Sequence, residues 1–481
     1  MIGNRQSHIG QRFSKGLPQI MYQTCLSFGT HGMGRGTQEG ATAVMDMENT
    51  AHTLPAFTGI TLEAILSTEN LLTALKRVES NRGAPGVDGM TTEEIRAYIF
   101  AHPGELRSAI LTGKYRPSPV KRVSIPKPER GKYRDLGIPT VIDRLVQQAV
   151  AQILSYAYDN TFSVTSYGFR PMLGAQDAIL KVVATADQEY EWAVDMDLEK
   201  FFDTVNHRRL IRKLSARIKD GRVLSLITRM LKSGVLIDGK VVKTEVGLMQ
   251  GGPLSPLLAN IYLDELDKEL EARGHRFARY ADDLIILCRS KRAALRTLDS
   301  VTRFVEGRMK LKVNRDKTSV CHLTRGVKFL GHGFYKTKDG FYPTVHQKAK
   351  DRLKDSLRMI LSRNRKMGLD EVKEKLRHKI RGWCAYFKYA HYTAWQQDTD
   401  MWIRRRIRQL LWTTWKKVRT RRRTLLQLGC DEETAHKWAN TRKGAWRVAH
   451  SQILSTKLTN GILKKNGWCW LGMHRVNGMR R

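Results

Sequence analysis

The sequence contains no Cys-x-x-Cys pair, no long apolar stretch and few acidic residues relative to basic ones. Its six cysteines are widely separated, at positions 25, 288, 321, 384, 430 and 469. This excludes the usual zinc-finger spacings and favours a reducing compartment over a disulfide framework. No apolar run approaches the roughly 20 residues that span a bilayer, and the N-terminus has no secretory signal. We therefore expect a cytoplasmic protein that binds no membrane.

The scarcity of acids gives the chain a large positive charge. It has 84 lysine and arginine residues against 46 aspartate and glutamate residues, a formal net charge of +38. Such an excess favours a polyanionic partner, with an anionic membrane surface as the competing explanation. Because 41% of its 481 residues are hydrophobic, the chain is expected to form about two to four folded domains rather than a disordered basic tail.

Two adjacent aspartates, Asp282 and Asp283, lie between short apolar runs at 277–281 and 284–287. This pattern is typical of a β-hairpin with the acids at its turn. An ordinary surface hairpin would look the same, because aspartate is common in turns. In a buried hairpin, two acids without a counter-charge are costly. A divalent cation such as Mg²⁺, which prefers oxygen ligands, would supply that charge.

A second acidic segment favours the metal site. In residues 192–198, the two-residue period of a strand puts Asp195 and Asp197 on one face and apolar residues on the other. A strand acid beside a hairpin with two more is what two-metal phosphoryl transfer requires. In such a site one ion activates the attacking oxygen, and a second ion, about 3.5–4 Å away, stabilises the leaving group.

Three segments resemble the polymerase core of reverse transcriptases encoded by bacterial group II introns. They are Asp-Leu-Glu-Lys-Phe-Phe-Asp at 197–203, Gln-Gly-Gly-Pro-Leu-Ser-Pro at 250–256 and Tyr-Ala-Asp-Asp at 280–283. The resemblance covers about residues 58–450. It implies an α+β right-hand polymerase fold, with an antiparallel sheet in the fingers and palm, then an α-helical thumb or maturase domain and a basic C-terminal segment.

We accordingly expect four regions along the chain. They are an N-terminal extension expected to be disordered (1–57), fingers and palm (58–344), thumb or maturase domain (345–424) and a basic DNA-binding segment (425–481). The extension is glycine-rich, and Met45 or Met47 could be the true start of the protein.

The resemblance also implies the catalytic residues. Asp197, Asp282 and Asp283, with the backbone of Leu198, are expected to hold two Mg²⁺ ions, which leaves Asp195 outside the ligand set. Lys317 matches the lysine that protonates the leaving pyrophosphate as a general acid. Without the family context, Lys317 would be assigned to the surface of a loop.

Four further positions match residues that contact the incoming nucleotide: Lys127, Arg134, Phe202 and Gln250. The first two lie in a basic hairpin predicted at 120–139, whose cations would follow the triphosphate into the site. Asp135, however, could pair with one of these cations. Gln250, in a glycine-rich loop, would position the templating base or the nucleotide.

Phe202 is the candidate for selecting deoxynucleotides. A large ring against the sugar would clash with a 2′-hydroxyl, although a core phenylalanine is the alternative interpretation. We assign the neighbouring Phe201 to the core and Asn206 to the N-cap of a helix that begins at His207.

Beyond about residue 345, the sequence predicts long basic helices at 351–376 and 402–418. Residues 401–430 contain ten lysines and arginines and no acid, and nine of the ten tryptophans lie beyond residue 380. Basic helices interleaved with aromatic residues suit RNA, although a basic face is often merely solvated. The candidate nucleic-acid-binding residues are Arg404, Arg405, Arg408, Lys416, Lys417, Arg419, Arg442, Lys443 and, in a loop that could equally be a plain connection, Arg82.

These features together predict an RNA-directed DNA polymerase encoded by a group II intron, which also binds intron RNA to assist splicing and retromobility. The expected partners are intron RNA, an RNA template with a DNA primer, target DNA and deoxynucleoside triphosphates. The chain could also act as a homodimer. Many relatives continue into a His-Asn-His nuclease with paired cysteines. This chain has none, so we expect no endonuclease and the greatest resemblance to class C.

Two alternatives stay open. One is a maturase that binds RNA for splicing and no longer polymerises. The other is a domesticated reverse transcriptase that serves in defence, which genomic neighbours would distinguish. Fold resemblance alone does not choose among these functions.

Overall fold

A computed structural model of the chain describes residues 59–126, 131, 133–363 and 367–475. These residues belong to one unit of the chain, which begins at Phe57. The N-terminal extension predicted for 1–57 and the candidate nucleotide-binding residue Lys127 lie outside the described residues. In the described part of the chain, none of the helices combines the length and apolar character needed to cross a membrane.

Helices and strands alternate in the first two thirds of the unit, and helices alone follow. The strands are β1 Val120–Pro126, β2 Tyr133–Ile138, β3 Trp192–Met196, β4 Val235–Ile237, β5 Lys240–Val242, β6 Arg276–Tyr280, β7 Asp283–Cys288, β8 Ser319–His322, β9 His332–Thr337 and β10 Gly340–Val345. The helices are α1 Leu62–Ile65, α2 Thr68–Asn81, α3 Ile95–Ala101, α4 Glu105–Leu111, α5 Val141–Tyr158, α6 Ala175–Ala186, α7 Phe201–Thr204, α8 His207–Ser215, α9 Gly221–Leu231, α10 Ser255–Ala272, α11 Lys291–Phe304, α12 Gln347–Ile360, α13 Leu369–Tyr386, α14 Thr393–Thr414, α15 Val418–Gln427, α16 Glu432–Ala439, α17 Ala445–Ala449, α18 Gln452–Lys457 and α19 Asn460–Lys465.

Side-chain caps start several of these helices. The hydroxyl of Thr140 accepts a hydrogen bond from a backbone N–H in the first turn of α5. The predicted N-cap is confirmed, since Asn206 Oδ1 accepts from the backbone N–H of Arg209 at 3.0 Å. Each cap satisfies a donor that the first turn of a helix leaves unpaired.

The central sheet is the antiparallel sheet that the sequence predicts. Its strand order is β6-β7-β3-β8, and all three pairings are antiparallel. One face, with Val194 and Ile286, packs in a core shared with α10 and α11. The other face, with Ala193 and Ile285, packs against α6. Because both faces are buried, β3 and β7 consist mainly of apolar residues.

A second sheet carries the basic hairpin. Strands β1 and β2 pair antiparallel, as predicted, and β1 also pairs parallel with β4 in the order β2-β1-β4-β5. The basic hairpin therefore belongs to this second sheet and not to the central sheet.

The two long basic helices predicted beyond residue 345 have other limits: the first is interrupted, and the second begins at Thr393, nine residues earlier than predicted. The helix predicted at 351–376 ends at Ile360, and α13 begins only at Leu369, after an N-cap at Gly368. The sequence between these helices offers no apolar residue from 362 to 366 to bury. The helix predicted at 402–418 ends at Thr414, where Arg421 Nε donates to the freed carbonyl of Trp415 at 2.9 Å.

A single apolar core joins the helices on both sides of residue 424. Leu353, Trp412, Leu425 and Trp468 all belong to it, together with residues from α13, α18 and α19. The limits given above for the thumb and the C-terminal segment stay predictions, but the two segments share this core.

We expect Trp468→Ala to lower the free energy of unfolding by about 3–5 kcal/mol, because it removes a large side chain that is 1% exposed. Trp446, which is 41% exposed, is the matched control, and Trp446→Ala should change stability by about 0.5 kcal/mol or less. Urea titration followed by circular dichroism measures both. A loss of about 0.5 kcal/mol or less for Trp468→Ala would contradict the contribution of this ring to the core.

Candidate active site

The two adjacent aspartates lie at the tip of the hairpin β6–β7, which confirms the predicted hairpin. Tyr280 pairs with Asp283, so Ala281 and Asp282 form the turn between them. Ala281 has a φ of 56°, in the left-handed region that costs a residue with a side chain about 1–2 kcal/mol. Neighbouring groups must hold this turn in place.

Arg279 provides the main support for the turn. Its side chain is 1% exposed and lies beside Asp267 on α10, which is 0% exposed. Arg279 Nε donates to Asp267 Oδ1 at 2.7 Å, and Nη2 donates to Oδ2 at 2.5 Å. From this bidentate pair, Nη1 reaches the carbonyl of Ala281 at 2.9 Å. The guanidinium therefore fixes the strained residue directly.

The same guanidinium ties the turn to two more segments. Arg279 Nη1 donates to Asn260 Oδ1 at 3.0 Å, and Nη2 donates to Ser166 Oγ at 2.7 Å. Asn260 in turn donates to the carbonyl of Gly168 at 2.7 Å. A Cβ on Gly168 would lie 2.3 Å from the backbone nitrogen of Ala281, so only glycine allows this close approach.

The buried pair of Arg279 and Asp267 is not among the site residues that the sequence predicts. Two features of the sequence could have indicated this pair. One is a cation, Arg279, within an apolar strand. The other is the spacing of Asn260 and Asp267, seven residues apart on an otherwise apolar helix face.

Asp197 follows directly after β3, and the loop before β8 fixes its backbone. Its N–H donates to Thr318 Oγ1 at 3.2 Å, and its carbonyl accepts from Asn314 N–H at 2.9 Å. From the same loop, Lys317 Nζ lies 3.1 Å from Asp197 Oδ2. The structure therefore brings the predicted general acid to the first of the predicted acids.

The acids at this end of the sheet raise one another's pKa values. Burial and the charge of Asp197 raise the pKa of Asp195 to about 6. Burial, together with Asp197, also raises the pKa of Asp282. Asp283 still reaches solvent, but surrounding protein atoms and then the charges of the other acids raise its pKa to about 7.

Three cations oppose this effect in part. Arg134 and Lys317 lower the pKa of Asp282, and Lys328 lowers those of Asp283 and Asp195. Asp135 pairs with a cation of the hairpin, Arg122, and also accepts a hydrogen bond from Ser124 Oγ. The nucleotide-binding role of Arg134 stays a prediction. Lys328 was not predicted as a site residue, since it lies 45 positions beyond Asp283 in a loop.

The donor chemistry of this cluster suits a hard divalent cation. Its ligand atoms are carboxylate oxygens, and burial, with a smaller effect from neighbouring acids, raises the pKa values of Asp195, Asp282 and Asp283 although nearby cations lower them. Among the described residues, no three His, Cys, Asp or Glu side chains are already arranged as a metal site. The predicted roles of Asp197, Asp282, Asp283 and the Leu198 backbone stay predictions.

The two phenylalanines differ as the sequence predicts. Phe201 is 2% exposed and belongs to the core. Phe202 is only partly buried, and its ring centroid lies 5.5 Å from that of Phe201 in an edge-on contact. One face of Phe202 is thus supported by the core while part of the ring stays accessible.

The loop with Gln250 contacts the basic hairpin through backbone atoms and through the Met249 side chain, which lies against Gly137. The carbonyl of Gln250 accepts from Gly137 N–H in β2 at 2.8 Å. Gly251 has a φ of 121°, and a Cβ there would lie 2.4 Å from the carbonyl oxygen of Gly137. Both the positive φ and this close approach require glycine at position 251. This contact joins the predicted base-reading loop to the hairpin that bears Arg134.

The remaining candidates are distributed over the surface. Arg82 is exposed with a φ of 44° at the end of α2, next to a loop that Arg144 holds by donating to the carbonyl of Ala84. Arg404, Arg405 and Arg408 line one pocket on α14. The other candidates are exposed near the ends of α14 to α17: Lys416, Lys417, Arg419, Arg442 and Lys443.

Comparisons with known proteins agree on the class of protein. Residues 125–334 match the family model "Reverse transcriptase (RNA-dependent DNA polymerase)", and residues 350–429 match "Group II intron, maturase-specific domain". The chain is 33% identical over 320 residues to protein YkfC of Escherichia coli, covering 58% of this chain and 84% of that protein.

Two further relatives are longer than the matched region. Group II intron-encoded protein LtrA of Lactococcus lactis is 28% identical over 359 residues, and the match covers 60% of this chain and 58% of LtrA. The putative COX1/OXI3 intron 2 protein of Saccharomyces cerevisiae is also 28% identical, with 40% of its length covered. The chain thus spans little more than half of LtrA and less of the yeast protein.

One solved structure, the partial Cas6-RT-Cas1–Cas2 complex, matches with a TM-score of 0.33 and 28% identity over 51% of this chain and 42% of that chain.

We expect Arg279→Lys to lower the rate constant kcat of nucleotide incorporation on a primed RNA template by about 10- to 100-fold, because supporting partners of metal ligands have effects of this size. The KM for the nucleotide should change much less, because the variant displaces the turn and not the nucleotide-binding residues. Single-nucleotide incorporation kinetics measure both constants. Arg303→Lys, in the exposed pair with Asp299, is the matched control and should change neither.

A double variant separates positioning from stability. Arg279→Met with Asp267→Leu should keep much of the stability, because an apolar pair can replace a buried ion pair. It should stay slow, because no N–H remains for the carbonyl of Ala281. Recovery of the rate together with stability would contradict a positioning role.

Proposed function

The chain belongs to the family of group II intron-encoded reverse transcriptases and maturases, so its core is a domain for RNA-directed DNA polymerisation, and we propose that Asp197, Asp282 and Asp283 form its catalytic centre. The family uses divalent metal ions and binds nucleic acids such as RNA. The observation that carries the proposal is the meeting of these acids with Lys317 at one end of the central sheet, where burial raises the pKa values of Asp282 and Asp283.

In this proposal the acids, with the backbone of Leu198, hold two Mg²⁺ ions. Bound there, the ions would activate the attacking oxygen and stabilise the charge on the leaving group. The 3′-hydroxyl of the primer attacks the α-phosphate of a deoxynucleoside triphosphate in line, a phosphodiester forms, and pyrophosphate leaves. The protein's own contribution is positioning and charge stabilisation.

Lys317 and the hairpin cations act on the triphosphate. The ammonium of Lys317 lies 3.1 Å from Asp197, close enough to the acids to hold a proton at Nζ for the departing pyrophosphate. Arg134, which acts on Asp282 from the hairpin, would bind the phosphates together with Lys127. Gln250 would position the base from its loop.

The second role is binding of intron RNA to assist splicing and retromobility. The maturase-specific match at 350–429 and the ten lysines and arginines between 401 and 430 support it, because phosphate contacts of basic side chains supply most of the affinity for RNA. Target DNA would be bound by the C-terminal helices, where Arg442 and Lys443 are exposed.

We expect primer extension on an RNA template with Mg²⁺ and deoxynucleotides, and extension at background level for Asp282→Asn with Asp283→Asn. The substitution keeps the side-chain shape and removes the charge that would bind the ions. Asp299→Asn, which alters an exposed pair, is the matched control and should extend primers normally. A folded wild type that binds RNA without extending primers would favour a splicing-only maturase.

We further expect Phe202→Ala to reduce the discrimination against ribonucleotides by about 10- to 100-fold, because the ring would no longer exclude the 2′-hydroxyl. Phe201→Ala should instead lower stability, with discrimination retained, since that ring is in the core. Single-nucleotide incorporation with deoxy- and ribonucleotides measures the ratio of kcat/KM values. Unchanged discrimination in the Phe202 variant would assign its ring to packing.

A further inference from the structure

A pocket of ≈ 400 Å³ lies where α14 meets the last helices of the described chain. The helix α14 contributes Arg404, Arg405 and Arg408, and the C-terminal helices contribute polar side chains from Ser455, Thr459 and Asn460. Three guanidinium groups on one short stretch of helix line this pocket, and none of its lining residues is acidic.

Arg408 forms the floor of the pocket. It is 7% exposed, and its Nε and Nη2 donate to the carbonyl of Leu458 at 3.0 and 2.9 Å. Nη2 also reaches Asn460 Oδ1 at 3.3 Å. These bonds fix the connection between α18 and α19 and use donors on two of its three nitrogens.

Arg404 and Arg405 are the arginines of this pocket whose guanidinium groups can bind a ligand. Neither forms an ion pair within the part of the chain that the structure describes. Arg404 is held over the ring of Trp470, 5.4 Å from its centroid. The nearest acid, Asp400, is 4% exposed and already accepts hydrogen bonds from the N–H groups of Leu471 and Gly472.

The charge of the three arginines is only partly balanced. Burial, then the charges of Arg404 and Arg405, lower the pKa of Arg408. Burial also lowers the pKa of Arg404, where the raising effect of Asp400 exceeds the lowering effect of Arg405. An anion in the pocket would relieve this repulsion, and guanidinium groups match the geometry of a phosphate.

We propose that this pocket binds a phosphate and its attached ribose from an unpaired nucleotide of an RNA. A volume of ≈ 400 Å³ exceeds what a phosphate alone needs and falls in the range of small-molecule sites. Hydroxyl and amide groups beside the arginines can hydrogen-bond a ribose 2′-hydroxyl. Paired RNA also displays phosphates and 2′-hydroxyls, but only bulges, loops and ends splay a single nucleotide out of the helix so that it can enter a pocket. The inference rests on the proposed RNA-binding role and names one place where it occurs.

The test compares full-length wild type with Arg404→Gln/Arg405→Gln. The probes are a fluorescein-labelled RNA hairpin with one bulged nucleotide, the same hairpin fully paired, and a DNA duplex of the same sequence, measured by fluorescence anisotropy. We expect the Kd for the bulged RNA to rise about 10- to 100-fold, as for lost hydrogen bonds to a charged group. The Kd values for the two paired probes should rise much less.

Three controls keep the outcome clear. Arg423→Gln removes the same charge from an exposed position on α15 and should not distinguish bulged from paired RNA. Arg404→Lys/Arg405→Lys, which keeps the charge but loses the planar donors, should recover only part of the affinity. At constant ionic strength, inorganic phosphate should compete with the bulged RNA for wild type and not for the glutamine variant.

Equal losses for all three probes, or an equal loss in Arg423→Gln, would overturn the pocket in favour of general charge. A greater loss for DNA than for bulged RNA would assign the pocket to DNA and also overturn the proposal. Primer extension by wild type is measured separately. A negative result for RNA binding in the pocket therefore does not contradict the polymerase activity, and a negative result for primer extension still allows the pocket to be tested.

Discussion

The buried ion pair between Arg279 and Asp267 is the interaction on which the active site depends. Both side chains are at most 1% exposed, where a lone charge would be strongly destabilising. The buried pair is tolerated because the guanidinium of Arg279 forms five hydrogen bonds. Two go to the carboxylate of Asp267, and one each goes to Asn260, Ser166 and the carbonyl of Ala281. The guanidinium of Arg279 thus anchors the turn to α10 and fixes the positions of two aspartates that it does not contact.

The sandwiched sheet explains why the acids gather where they do. With α6 on one face of the sheet and α10 and α11 on the other, carboxylates in the middle of β3 or β7 would lie among apolar side chains. The end of the sheet is the place where Asp197 can follow one strand and Asp282 can precede the next. There, cations from β2 and from the loops around β8 reach the acids. The fold therefore concentrates negative charge at an edge that basic segments surround.

The sequence predicted features whose causes are local. The hairpin at Asp282, the cap at Asn206 and the buried Phe201 each follow from neighbouring residues, and the structure confirms all three. The hydrogen bonds of Arg279 include one to Ser166, 113 positions away in the sequence. No local sequence pattern predicts a contact over that separation. The first basic helix was predicted too long because a charged stretch without apolar residues does not by itself show where a helix ends, and the second, which begins at Thr393, was predicted too short.

The glycine contact between β2 and the Gln250 loop has a consequence for copying accuracy. Backbone contacts backbone at Gly137 and Gly251, and the Met249 side chain fills the space beside Gly137. A movement of the hairpin that bears Arg134 would therefore displace the loop that bears Gln250. In the proposed mechanism, binding of the triphosphate by the hairpin is thus coupled to the position of the loop beside the base.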